Sequence, residues 1–205
     1  MKYSYFVTGI GTEVGKTIVS AILTETLEAD YWKPIQAGDL DNSDSQKVLK
    51  LISNKSTVFH PNSFALNTPM SPHAAAEIDR VKITSETIKR PITDNHLVIE
   101  GAGGLLVPIS EKECIADLIH FEDRIILVSR HYLGSINHTL LSIEALKSRG
   151  LTCYGIIFSG EENKTTESII AKMSGVKILG RIDQEPYFDK NVVKEYAEIF
   201  REKLK

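Results

Sequence analysis

"FVTGIGTEVGKTIVS", residues 6–20, reads as a β-strand running into a glycine-rich turn, then Gly15-Lys16-Thr17, then the first turns of a helix. That is the setting of a phosphate-binding loop: backbone N–H groups at a helix N-terminus, aided by the helix dipole, attract phosphate. Lys16 is placed to reach terminal phosphates, and the Thr17 hydroxyl to bind Mg2+. A glycine turn that merely joins strand to helix is the weaker reading, because GKT stands between the two elements. In the common spacing four residues separate the first glycine from GKT. Ile10 holds that first position here, between Gly9 and Gly11. One extra loop residue would present Thr12 and Glu13 towards a ligand beyond the phosphates.

Working outward, short apolar runs alternate with amphipathic stretches. "YSYFVTGI", "YWKPIQAG", "NHLVIEGAGG", "RIILVSR", "CYGIIFS" and "VKILGRI" are strand candidates. Residues 15–28, 43–53 and 136–149 read as helices, the second with Val48, Leu49 and Ile52 on one side. Residues 60–73 carry Pro61, Pro69 and Pro72 and are expected to be irregular. The expectation is one α/β domain over 1–205: a three-layer P-loop NTPase-type fold with a mostly parallel central sheet flanked by helices. Its site should lie beyond the carboxyl ends of the strands.

Composition narrows the function. A net charge of −3 gives no electrostatic footprint for nucleic acid. No apolar run approaches the ~20 residues of a membrane span, and the N-terminus lacks a signal peptide's apolar region. Cys114 and Cys153 have no metal-type spacing, which suits buried free thiols and a cytoplasmic location.

Mg2+ wants carboxylates besides a hydroxyl. Glu100 ends an apolar strand before "GAGG" and is the best candidate, set against an ordinary exposed acid. Asp44, in "DNSDS", is equally open to being a helix cap. Lys33 would be a second cation at the same edge, or a solvated lysine. His73 and His138 stand alone and read as structural. "NKTT" at 163–166 has Thr166 where a guanine-reading NKxD needs Asp. Gly11 stands where partition and cell-division ATPases carry a signature lysine. Residues 190–204 are amphipathic with mixed charge, which suits packing on the sheet better than lying on anionic lipid.

Taken together, "GTEVGKT", "KPIQAG", "NSD", "SPH", "EGAGG" and "LGSINH", in that order, resemble the dethiobiotin synthetase family over about the first two-thirds of the chain. The family's phosphate loop is likewise one residue longer. The resemblance implies an ATP- and Mg2+-dependent cyclo-ligase that joins diaminopelargonic acid and CO2 through a carbamate and a carbamic–phosphoric anhydride. It implies Lys16 and Lys33 as catalytic residues, and Mg2+ on Thr17, Asp44 and Glu100. It places the nucleotide on Glu13, Val14, Gly15, Lys16, Thr17, Ile18, Asp44, Glu100, Gly101, Ala102, Gly103 and Ser159. It places the substrate on Thr12, Lys33, Ala37, Gly103, Ser135, Ile136 and Asn137, the last three from the other subunit of a homodimer. Ala37 replaces a frequent hydroxyl residue, and Ser159 replaces an asparagine that reads adenine. The usual base-binding segment is not recognisable in "GRIDQEP", residues 180–186, so other nucleoside triphosphates are expected to replace ATP. The runners-up are a related P-loop amidoligase and a ParA-like nucleotide switch.

Overall fold

The structure is a computed structural model and describes residues 2–204. Its centre is β1 (Ser4–Gly9), hydrogen-bonded on either side to β6 (Leu97–Gly104) and β7 (Arg124–Arg130), both parallel to it. Outward from these lie β2 (Asp30–Trp32) and β4 (Phe59–His60) on one flank. On the other lie β8 (Cys153–Ser159) and β9 (Ile178–Ile182). The seven strands run β4-β2-β6-β1-β7-β8-β9. Phe6, Val7, Val98, Ile99, Leu127 and Val128 are fully buried, which is why these strands carry continuous apolar runs instead of alternating.

Helices α1 (Lys16–Leu27), α2 (Asp44–Leu51) and α6 (Lys190–Arg201) share one core with the sheet, through Ile22, Val48 and Phe200. Helices α3 (Pro72–Ile78), α4 (Ser135–Lys147) and α5 (Lys164–Ser174) close two further clusters, through Ala75, Leu146 and Ile170. The fold is the expected three-layer one. Val193, Tyr196, Phe200 and Leu204 are buried, as the amphipathic pattern required. Among the described residues no helix is long and apolar enough to cross a membrane.

Several local readings are corrected. "YWKPIQAG" is not one strand: β2 stops at Trp32, and after Pro34 the chain leaves the sheet as β3 (Ile35–Ala37). Proline has no N–H to continue a ladder. Residues 60–73 are not irregular throughout. They end β4, form β5 (Phe64–Leu66), which pairs with β3, and start α3. The prolines sit between these elements or at the first position of α3, where proline is tolerated. The glycines of "GAGG" continue β6 to Gly104 instead of turning. Leu49 faces solvent, 55% exposed, while Val48 and Ile52 are buried. "NKTT" opens α5, with the Asn163 side chain accepting the Thr166 N–H at 3.0 Å. Both cysteines are free but only half-buried, and burial pushes the Cys153 thiol up to about 12.

Candidate active site at the phosphate loop

The loop leaves β1 at the carboxyl edge of the sheet, between β6 and β7. Gly15 caps α1 at φ 97°, a left-handed conformation that favours glycine. No side chain caps this helix and no acid lies in its first turn, so its leading N–H groups are left for an anion. Glu13 also adopts positive φ, 56°, and its carbonyl accepts from Arg130 Nη1 at 3.2 Å. Lys16 Nζ turns back on the loop and donates to the Gly11 carbonyl at 2.8 Å. Burial, and next the neighbouring Lys33 charge, push its ammonium down to about 8.

Opposite the loop lies a cluster of charges. Lys33 Nζ is 2.8 Å from Asp44 Oδ2 and 3.1 Å from Glu100 Oε1, and donates to the Gly101 carbonyl at 3.0 Å. Glu100, 1% exposed, also accepts the Thr17 and Tyr31 hydroxyls, each at 2.9 Å. Burial alone would lower the Lys33 ammonium; the Glu100 and Asp44 carboxylates outweigh it and raise the group above lysine's ordinary value. For Asp44, Lys33 and then Lys47 outweigh the upward push of burial and hold the carboxyl low. Asp44 is not the cap of α2. Ser43 caps α2 in a capping box with Gln46, and Asp44 faces Lys33.

A cleft of about 790 Å³ joins the loop to these charges. Thr12, Glu13, Gly15, Lys16, Thr17, Ile18, Lys33, Ala37, Asp44, Glu100, Ala102 and Gly103 line it. Val14 is buried beneath the loop, and Gly101 offers its carbonyl to Lys33. Ser159 stands on the far side of the loop, beside Gly15, in a second cleft of about 190 Å³. Ser135, Ile136 and Asn137 are not brought to either cleft: they open α4 on the outer surface, with Ile136 and Asn137 exposed. Gln36 was missed by sequence reasoning. Its Oε1 accepts the Asp44 N–H at 3.2 Å and its Nε2 donates to the Gly38 carbonyl, so it positions the start of α2. Met70 and Ser71 also line the first cleft, from a proline-rich stretch in which only "SPH" stands out in the sequence, and that as a resemblance without a site role.

The donors fit a hard cation. Two carboxylates and a hydroxyl meet within hydrogen-bond distance of one another or of Lys33, whose ammonium lies between the carboxylates. Mg2+ is bound by this kind of oxygen set, completed by phosphate and water.

Free helix amides and a lysine suit a polyphosphate, and on a parallel sheet of this order they make the chain a P-loop nucleotide-binding protein. A family described as an AAA domain matches residues 3–192. The chain belongs to the dethiobiotin synthetase family: the ATP-dependent dethiobiotin synthetase BioD of Christiangramia forsetii is 71% identical over 204 residues, 100% of this chain and 99% of that protein. The protein of the same name from Cytophaga hutchinsonii is 48% identical over 94% of each chain. Among solved structures, the cell division ATPase MinD of Pyrococcus furiosus superposes with a TM-score of 0.60 over 100% of both chains at 14% identity. A ParA family ATPase from Chlorobium tepidum gives 0.58 over 100% of this chain and 92% of that one, at 13% identity. These two likenesses are of fold alone.

Proposed function

We infer that this chain is an ATP-dependent dethiobiotin synthetase, a cyclo-ligase of biotin biosynthesis. The observation that carries the reading beyond nucleotide binding is Lys33. It is a second lysine, 4% exposed, held between carboxylates in the phosphate-loop cleft. A nucleotide switch has no evident use for it; a ligase that gathers anions beside ATP does.

One amine of diaminopelargonic acid attacks CO2 and loses a proton, giving a carbamate. A carbamate oxygen attacks the γ-phosphorus of ATP, and ADP leaves. The second amine attacks the carbonyl carbon of the resulting mixed anhydride; phosphate leaves and the cyclic urea closes. Catalysis of such a sequence is chiefly positioning and charge stabilisation. Lys16 and the α1 amides hold the terminal phosphates. Lys33 faces the carbamate side, and Thr12 lines the same cleft. Thr17, Asp44 and Glu100 would hold Mg2+, which supplies charge neutralisation on the phosphates when bound. Ala37 leaves its stretch of wall without a hydroxyl for the substrate.

The substrate carboxylate is assigned to Ser135, Ile136 and Asn137 of a second copy, making the enzyme a homodimer. Tyr132, Leu133, Ile136 and Leu141 are exposed around that helix start, apolar surface that a partner chain would cover. An ATP-consuming enzyme with free thiols suits the cytoplasm. The test is ADP release with and without diaminopelargonic acid and bicarbonate. Release that requires both supports the reading; release indifferent to both points to a switch, and release stimulated by another amine or carboxylate to a different amidoligase.

A further inference from the structure

The second cleft begins where the first one ends, since Glu13, Gly15 and Ile18 of the loop wall both. Its far side is formed by the carboxyl ends of β8 and β9 and by Asp183 to Glu185, which follow β9. The first cleft already holds the charged cluster. A nucleoside triphosphate spread along the loop therefore leaves its base in the second. This step rests on the reading above that the loop holds ATP.

Little in the cleft reads a base at first sight. Ser159 offers one hydroxyl, Gly160 has no side chain, and Arg130 is engaged in donating to the Glu13 carbonyl at 3.2 Å. Gln184 is exposed, with no partner holding its amide towards the cleft among the described residues. Glu185 is different. It is half-buried, and its Oε1 accepts the Tyr196 hydroxyl at 2.7 Å. The Tyr196 oxygen in turn accepts the Asp183 N–H at 3.0 Å, and Tyr196 is packed in the core of α6. The carboxylate is thus held by a buried anchor, not left to swing in solvent. Asp183 is occupied by Arg181 Nε at 2.8 Å, whereas among the described residues Glu185 has no cationic partner and its Oε2 is not engaged.

An ionised carboxylate only accepts hydrogen bonds. It suits an exocyclic amino group and repels a carbonyl oxygen at the same place. We propose that Glu185 is the base-reading residue of this site, accepting from an exocyclic amine, so that adenine and cytosine are taken in preference to their oxo counterparts hypoxanthine and uracil. Phosphate contacts remain indifferent to the base, which allows several nucleotides to work while excluding particular ones.

The test is kcat/KM for ATP, ITP, CTP and UTP in dethiobiotin formation at saturating diamine, in the wild type, Glu185→Ala and Glu185→Gln. The wild type should favour ATP over ITP, and CTP over UTP, by about tenfold or more, the scale of one hydrogen bond to a charged group. Glu185→Ala should bring both ratios to within about threefold, the residue of a lost contact. Glu185→Gln, whose amide donates as well as accepts, should raise kcat/KM for ITP and UTP above wild type. That is a gain which loss of a purely structural bond to Tyr196 cannot produce. A wild type that uses ITP and UTP as well as ATP and CTP overturns the proposal. So do variants that lower all four nucleotides alike. No dethiobiotin from any nucleotide in the wild type would instead overturn the function, a result distinct from either.

Discussion

Nucleotide binding should draw a proton onto Lys16. In the free protein burial, then the Lys33 charge, hold its ammonium at about 8, against 10.5 for an unperturbed lysine. An arriving triphosphate favours the charged form and lifts the group well above that value. The sign follows: below pH 7 the lysine is charged both before and after binding, whereas above pH 8 it is neutral before and charged after. With a free-state value of about 8, saturating with MgATP should take up about 0.1 proton at pH 7, about 0.5 at pH 8 and about 0.9 at pH 9. Isothermal titration calorimetry in two buffers of different ionisation enthalpy reads this number directly. Affinity should fall towards tenfold per pH unit above 8 as the free lysine loses its charge. Uptake that is flat across this range, or a net release, would refute the reasoning, because Lys16 would then be charged in the free cleft.

Lys16→Met should abolish turnover yet stabilise the free fold. The gain should be on the order of 3 kcal/mol at pH 7, shrinking between pH 8 and 10.5, where the native lysine is already neutral while the unfolded one is not. Urea unfolding at two pH values checks both parts. Glu100→Ala strips acceptors from Lys33, Thr17 and Tyr31 and should cost about 3 kcal/mol. Adding Lys33→Met should return part of that loss; a single-variant cost below about 1 kcal/mol would mean the buried pair is not made. Gly38→Ala places a Cβ 2.5 Å from Pro69 Cβ at φ 71°. It should cost about 2 kcal/mol and, by moving Pro69 in the cleft wall, raise KM for the diamine. Asn137→Ala should raise KM for the diamine more than KM for ATP, and sedimentation should show a dimer; a fully active monomer contradicts the shared site.

The parallel sheet and the phosphate loop were legible because they rest on local signals: uninterrupted apolar strands, and glycines with GKT between strand and helix. Glu100 was legible as a charge directly after the apolar run Leu97–Ile99, although β6 continues past it to Gly104 instead of ending there. Asp44 was ambiguous because acids serve both as caps and as ligands; that Ser43 is the cap, and that Asp44 pairs with Lys33, eleven residues away in sequence, are facts of the folded chain. Gln36 was visible only as part of "KPIQAG", with nothing to mark it as a positioning residue. Its two backbone partners, at Gly38 and Asp44, are set by how the segment folds over the cleft. The stretch at 60–73 was misread because prolines that break one element also flank others, and the pairing of β5 with β3 is a tertiary event. Glu185 was hidden in a segment lacking the expected pattern; its anchor, Tyr196, lies a helix away.

A dethiobiotin synthetase fixes the carbon of CO2 at the cost of one ATP. Incubation with 13C-bicarbonate, diaminopelargonic acid and MgATP, followed by mass spectrometry and phosphate and ADP assays, tests it directly. The expected product is dethiobiotin carrying a single 13C at its urea carbon, with one ADP and one phosphate per product. ATP hydrolysis without label in a cyclic urea, or labelled product without ADP, would contradict it.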